Sequence, residues 1–306
     1  MRVLVINNLV SGLQDGAIHD YVRKLCHNAD EIVIRSSNTR TNAEGLLHDA
    51  ESFDVVVASG GDATVSTVCY SLRGSNVPIL PFPAGTGNLV ATNLRSPDEP
   101  LVLAQMTREG VTQHYDLGEI DYFSEGRTQR AGFAVMAGAG YDARIMAHSE
   151  KLKGVLGPLA YIASAITDPL PTVAHFTITL DDEVLEMDGI AVLVINFAQI
   201  FPDIAITHAN DARDGAFEVV VVKSHNAVEL LPAVFAAFLD RGGGFPGRFD
   251  ALEVRLSRTV CVESDPPLAI QYDGEAVDAV TPFVARALPH AVRFIVTREQ
   301  YERHAR

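Results

Sequence analysis

The sequence contains no tryptophan, and its three cysteines (Cys26, Cys69 and Cys261) are scattered, with no CxxC pair among them. No disulfide framework can be read from that pattern, and a reducing, cytoplasmic setting is the simpler expectation. Positive charge is scarce as well: 24 Lys and Arg stand against 39 Asp and Glu, a formal net charge of -15. Nucleic acid is excluded as a partner on that ground, because phosphate backbones need basic side chains. Broad electrostatic attachment to anionic lipid goes with it, leaving a local patch for transient, peripheral contact with a membrane surface. The longest apolar stretch without a charge, GVLGPLAYIASAIT at 154 to 167, is too short to cross a bilayer and contains Pro158. The opening MRVLVINNLVSG has one basic residue and no small-residue cleavage site, so it reads as a first strand and the chain as soluble. Three catalytic signatures are missing too: GxxxxGK[ST], HExxH and GxSxG. A Walker A loop, a zinc hydrolase and a serine-elbow hydrolase therefore have no support.

What is present is an alternation. RVLVIN (2 to 7), EIVIRS, FDVVVAS and VPILPFP are Val/Ile-rich runs of strand length. Between and after them lie GAIHDYVRKLCHN, AEGLLHDAES, TVSTVCYSLR and NLVATNL, whose spacing predicts helices. Continuous apolar strands alternating with helices predict a parallel sheet covered on both faces. After about residue 112 the pattern changes to strands joined by Asp/Gly turns, such as AHFTITLDDEVLEMDGIAVLVINF and LAIQYDGEAV. The expected architecture is an α/β first domain over 1–112 and a β-rich, sandwich-like second domain over 113–289. Two helices, GPLAYIASAI and NAVELLPAVFAAFLDRG, interrupt the second; the final AVRFIVTREQYERHAR reads as a strand and a charged helix of either domain.

Two turns carry chemistry. SGGDAT at 59 to 64 follows FDVVVA, and PAGTGN at 83 to 88 follows VPILPF. Ligands of open parallel sheets bind beyond the carboxyl ends of the strands, where helix N-termini present N–H groups and partial positive charge to a phosphate. Gly60 and Gly61 allow a sharp turn and close approach of a ligand to the backbone, and Asp62 stands ready to hold water, a cation or a hydroxyl. Thr64 suits a helix N-cap or a phosphate contact. Gly85, Thr86, Gly87 and Asn88 form the second such turn one strand along. Either cluster alone is as well explained by a tight strand-to-helix turn. GTGNLV and GAGYDA (138 to 143) match the dinucleotide fingerprint only in part.

GGDAT followed by a helix, then PAGTGNLVATNL, resembles the diacylglycerol kinase catalytic-domain family of bacterial lipid kinases, related to sphingosine kinases. The resemblance runs through most of the chain: NLVSG at 8 to 12, AGAGYDARIM with KLKGVLGPLAYI, RDGAFEVVVV, and YDGEAV. It implies the NAD-kinase/diacylglycerol-kinase-like fold, with the C-terminal 290–306 returning to the first domain. The activity implied is transfer of phosphate from ATP, with Mg²⁺, to the hydroxyl of diacylglycerol or a similar lipid. A homodimer is implied as well.

Carried over by position, the resemblance puts Asn8, Ser11 and Gly12 near the ATP phosphates. Gly60, Gly61, Asp62, Ala63, Thr64 and Thr67 belong to the nucleotide and magnesium turn, Gly85, Thr86 and Asn88 flank it, and Ser36 follows the second strand. Asp273 and Glu275 join Asp62 as catalytic carboxylates, Glu275 taking the proton of the lipid hydroxyl. Asp214, with Asp211 and Ala216, corresponds to a structural Mg²⁺ site. Apolar residues of 152 to 166 either line an acyl cleft or form core. Three departures bear on activity. Ala63 replaces a glycine, at a cost of roughly 1–2 kcal/mol if that position needs positive φ. Ser66 and Thr67 stand for Asn and Glu, and Leu9 stands for proline. Two rivals follow: a kinase of a soluble acceptor on a related fold, and a lipid-binding protein with an impaired nucleotide site.

Overall fold

The computed structural model describes residues 1–11, 16–26, 30–38, 45–140, 172–201, 204–205, 211–223 and 252–304. The expected helices at 157–166 and 226–242, Gly12, and the part of GAGYDA after Gly140 lie outside those residues. The chain divides into two compact units, Met1–Leu117 with Pro289–Arg306, and Gly118–Leu288. Both passages between the units fall inside long strands, Thr112–Ser124 and Phe283–Ile295, and not in a polar linker.

In the first unit, β1 (Arg2–Asn8), β2 (Glu31–Ser37), β3 (Val55–Gly60) and β4 (Ile79–Pro83) form a parallel sheet in the order β2-β1-β3-β4. Phe294, near the end of the strand Phe283–Ile295, pairs in parallel with Ile79 of β4. All six residues of β3 are buried, as a strand covered on both faces must be. One face packs on α1 (Ala17–Leu25) through Ile18, Tyr21 and Leu25. The α-helices α2 (Asp62–Ser71), α3 (Leu89–Asn93) and α4 (Pro100–Glu109) follow β3 and β4. The pattern reading passed over α4, although Pro100 at its first position and Gly110 at φ 64 just past its end are a start and a stop signal. Leu103, Ala104 and Met106 fix it against the same core as α1, and the Tyr21 and Thr107 hydroxyls meet at 2.9 Å between the two helices.

In its described part the expected helix over 43–52 is helical at Gly45 and then gives way to turns that end in a 3-10 turn at Ala50–Ser52. Arg35 of β2 is the cause. Its guanidinium donates to the Leu46 carbonyl (2.6 Å), which a continuing helix would use, and forks onto Asp49 at 2.5 and 2.8 Å. The hydrogen bond from Arg35 holds the Asp49 carboxyl down to about 2. A depressed carboxyl stabilises the fold above its unfolded value, and that contribution is lost as pH falls through the folded one. An NMR titration should therefore place the Asp49 midpoint near 2, and Arg35→Ala should return it toward 3.8.

The second unit is two antiparallel sheets with a common core. One contains β7 (Met136–Gly140), β10 (Ala191–Ile195), β13 (Phe217–Val222), β14 (Leu252–Ser257), β16 (Ala269–Tyr272) and β17 (Glu275–Val280), in the order β14-β13-β10-β7-β16-β17. The other is built on β5 (Thr112–Ser124), β6 (Arg127–Phe133), β8 (Ala174–Leu180), β9 (Glu183–Gly189), β15 (Thr259–Asp265) and β18 (Phe283–Ile295). Alternate residues of both sheets, among them Phe133, Phe176, Val192, Phe217, Val262 and Ile270, interleave into one buried cluster. A small two-stranded ribbon joins β11 (Gln199–Phe201) to β12 (Ile204–Ala205).

Candidate active site

The order β2-β1-β3-β4 sends the chain in opposite directions from β1, so the carboxyl ends of β1 and β3 mark the switch point at which open parallel sheets take their ligands. Three sequence-predicted loops meet there. Asn8 ends β1 and donates from Nδ2 to the Thr64 hydroxyl at 2.8 Å, while its Oδ1 accepts the Val10 N–H at 3.0 Å. Beneath them, Ser59 and Asn7 join the ends of β3 and β1 at 3.0 Å. Ser11 Oγ lies 3.5 Å from the Ala84 carbonyl of the loop after β4. Ser36 is exposed on β2, in register with Asn7. Leu9 donates its N–H to the Ser37 carbonyl at 2.8 Å, a bond that a proline at this position could not make.

The glycines here supply room, since Gly60, Gly61, Gly85 and Gly87 are all absent from the residues with positive φ. A Cβ on Gly85 would sit 2.3 Å from the Gly61 Cα, so the two loops touch backbone to backbone. A Cβ on Gly60 would meet the Thr64 side chain at 2.6 Å, and one on Gly87 would come 3.0 Å from Asp62 Oδ2. Gly85→Ala forces the Gly61 backbone to move and should cost roughly 1–3 kcal/mol. Thermal denaturation reads that directly; a melting temperature equal to wild type would mean that the loops are not in contact.

Helix α2 begins at Asp62 with Gly61 as its N-cap and no capping side chain. This corrects the expectation for Thr64, which lies inside the first turn, buried, with its hydroxyl engaged by Asn8. Asp62 accepts the Val90 N–H at 3.0 Å and so ties α2 to the first turn of α3. Ala63 is helical and is not among the residues with positive φ, so the strain considered for it does not exist. Alanine is the best helix former at such a position. Thr67 donates to the Ala63 carbonyl at 2.8 Å, and Ser66 is buried. Asn88 itself adopts φ 51; its Oδ1 accepts from Gly85 N–H and its Nδ2 donates to the Gly85 carbonyl, both at 2.8 Å. It shapes the loop, and Thr86 at the tip is exposed.

In the second unit, Asp273 and Gly274 form the two-residue turn between β16 and β17, at φ 48 and 79. Both central residues at positive φ is the I′ hairpin geometry for which Asp-Gly is suited. The Asp273 carboxylate is buried and accepts N–H groups from Ala134 (2.8 Å), Val135 (2.8 Å) and Met136 (3.1 Å). That corrects the catalytic reading of Asp273: a carboxylate holding three backbone donors anchors a turn. Glu275, in register with Tyr272, starts β17 half-buried.

The expected cation site is also altered. Asp211 is gripped by the Arg213 guanidinium at 2.7 Å through both oxygens, and Asp214 accepts the Ala216 N–H of its own turn at 2.9 Å. With the Arg213 guanidinium on both of its oxygens, the Asp211 carboxylate is not placed to hold a metal ion, which leaves only backbone carbonyls and the Asp214 carboxylate for the site the resemblance implies. Among the described residues, no group of three or more His, Cys, Asp or Glu could hold one.

At the switch point, then, an uncapped helix start, two glycine loops in backbone contact and one carboxylate converge. Backbone donors of this kind suit phosphate oxygens. A single carboxylate suits a Mg²⁺ that phosphates largely hold, since that ion rarely has an all-protein cage.

Residues 2–120 match the family model described as diacylglycerol kinase catalytic domain, and residues 135–296 match the YegS C-terminal NAD kinase beta sandwich-like domain. An uncharacterized protein of Synechocystis is 27% identical over 284 residues, 89% of this chain; the chain spans only 60% of that relative's length. A diacylglycerol kinase of Mycobacterium tuberculosis is 25% identical over 311 residues, covering 97% of this chain and 96% of that protein. The crystal structure of a diacylglycerol kinase from Bacillus anthracis shares the fold at a TM-score of 0.69 and 18% identity, covering 97% of each chain.

Proposed function

This chain belongs to the diacylglycerol kinase catalytic-domain family, and from that membership we propose that it transfers phosphate from ATP, with Mg²⁺, to the hydroxyl of a lipid such as diacylglycerol. The observation that carries the nucleotide half of this reading is the Gly61–Gly85 backbone contact beside Asp62. It brings the backbones of the loops after β3 and β4 together at the uncapped start of α2. Gly61 and Ala63 at the uncapped start of α2 would cradle the phosphates, Gly85 lending clearance while Asn88 holds its N–H, with Asn8, Ser11 and Thr86 at the margin, and Asp62 would hold the magnesium. When bound, Mg²⁺ neutralises phosphate charge and orients the transferred group.

Glu275 is the residue we assign to taking the proton from the acceptor hydroxyl. Its neighbour Asp273 is occupied by backbone donors, which favours Glu275 of the pair. A lipid acceptor implies transient contact with a membrane surface; no helix among the described residues is long and apolar enough to cross one.

The test is phosphoryl transfer from γ-labelled ATP, with and without Mg²⁺, to diacylglycerol in mixed micelles and to NAD in solution. Labelled lipid supports the proposal, and labelled NAD alone would replace it with a soluble acceptor. Lipid binding by calorimetry without ATP binding would support the third reading, a lipid-binding protein. The helical setting of Ala63 weighs against that reading. Ala63→Gly should lower stability by about 0.5–1 kcal/mol without strengthening ATP binding. Tighter ATP binding in that variant would show that the methyl group obstructs the nucleotide.

A further inference from the structure

Asn196 stands outside every sequence motif, yet it is fully buried in the second unit just past the end of β10. Its Nδ2 donates to the Ala134 carbonyl at 2.7 Å. Its own N–H and that of Phe197 both reach the Val135 carbonyl, at 2.9 and 3.0 Å. The short corner from Ala134 to Met136, between β6 and β7, is therefore held by its carbonyls from one direction. Asp273 holds the same corner by its N–H groups, and the Asp273 N–H returns to the Met136 carbonyl at 2.8 Å. Glu275 follows one residue after that two-residue turn, so its backbone position is set by the corner.

We infer that Asn196 is a positioning residue for phosphoryl transfer: it fixes the Ala134–Met136 corner, which fixes the Asp273 turn, which fixes Glu275. The inference rests on the assignment of Glu275 as the base. A group that must meet a hydroxyl in line with a phosphate tolerates little displacement, and misplacement of about 1 Å can cost on the order of a hundredfold in rate. An apolar side chain after β10 would fill the same volume but would take the amide donor away from the buried Ala134 carbonyl. A buried amide whose donor is aimed at the corner's carbonyl is explained by a need to orient that corner.

A double-mutant cycle on the full chain tests this. Asn196→Ala, Glu275→Gln and the double variant are compared in kcat, KM and melting temperature, with Val194→Ala, in the strand that leads to Asn196, as a control for core loss. The expected result is a roughly tenfold to hundredfold fall in kcat for Asn196→Ala with unchanged KM for ATP. The double variant should then be no slower than Glu275→Gln alone, and Val194→Ala should be destabilised at wild-type kcat. If Asn196→Ala does not fold, Asn196→Ser, which retains a hydroxyl donor, takes its place in the same cycle. Effects that simply multiply in the double variant, or an unchanged kcat for the Asn196 variant, would overturn the inference while leaving Glu275 as base. Full activity of Glu275→Gln would remove the base assignment itself, and the inference with it.

Discussion

Asp62→Asn should lower phosphoryl transfer by a hundredfold or more while the chain remains folded. The amide keeps an oxygen for the Val90 N–H, now 3.0 Å from Asp62 Oδ1, so the tie between α2 and α3 survives. What disappears is the negative charge. At the first position of α2 that charge favours the helix by roughly 0.3–1 kcal/mol, a loss the fold can absorb. Its catalytic loss is larger, because removing one preorganised electrostatic partner of a transferring group typically costs about 10²–10³ in kcat. The defect should deepen at low Mg²⁺ and be relieved in part as Mg²⁺ is raised. A variant with wild-type kcat at all Mg²⁺ concentrations would show that Asp62 is only a bracket between two helices.

The second large effect is on stability. Asp273→Ala leaves the N–H groups of Ala134, Val135 and Met136 without their carboxylate in a buried corner. Each such orphan costs about 1–3 kcal/mol. Allowing for relaxation, the variant should lose on the order of 3–5 kcal/mol, as when one partner of a buried charged network is removed. Asp273→Asn should fall between the two, since an amide can present one oxygen but turns an NH₂ toward a donor. Chemical denaturation of both variants, without any substrate, is the measurement. If Asp273→Ala unfolds at the wild-type midpoint, the anchoring role is wrong, and the catalytic reading of this carboxylate returns.

The sequence reading went furthest where burial is written locally. The Val/Ile runs of β1, β3 and β4 state a strand covered on both faces, and the glycines after β3 and β4 mark loops pressed together at its end. It failed where a partner distant in the chain decides the outcome. The turns at 46–52 depend on Arg35, which takes the carbonyl a helix would have used. Thr64 looks like a cap from its neighbours, but Asn8 draws its hydroxyl to another use. The Asp-Gly-Glu run is visible as chemistry, whereas the burial of Asp273 depends on a corner more than a hundred residues earlier. Asn196 gives no signal, since a single asparagine after an apolar strand reads as the start of a turn.

Gly61 and Gly85 have a consequence for motion. With no side chain between them, the loop after β3 and the loop after β4 have no soft layer to compress; a Cβ on Gly85 would already be 2.3 Å from the Gly61 Cα. Neither loop can drift toward the other, and Asp62 bound to Val90 keeps them from drifting apart. The two behave as one hinge-free block. Amide exchange in 60–64 and 84–90 should then follow a common opening event, and whatever steadies one loop steadies both.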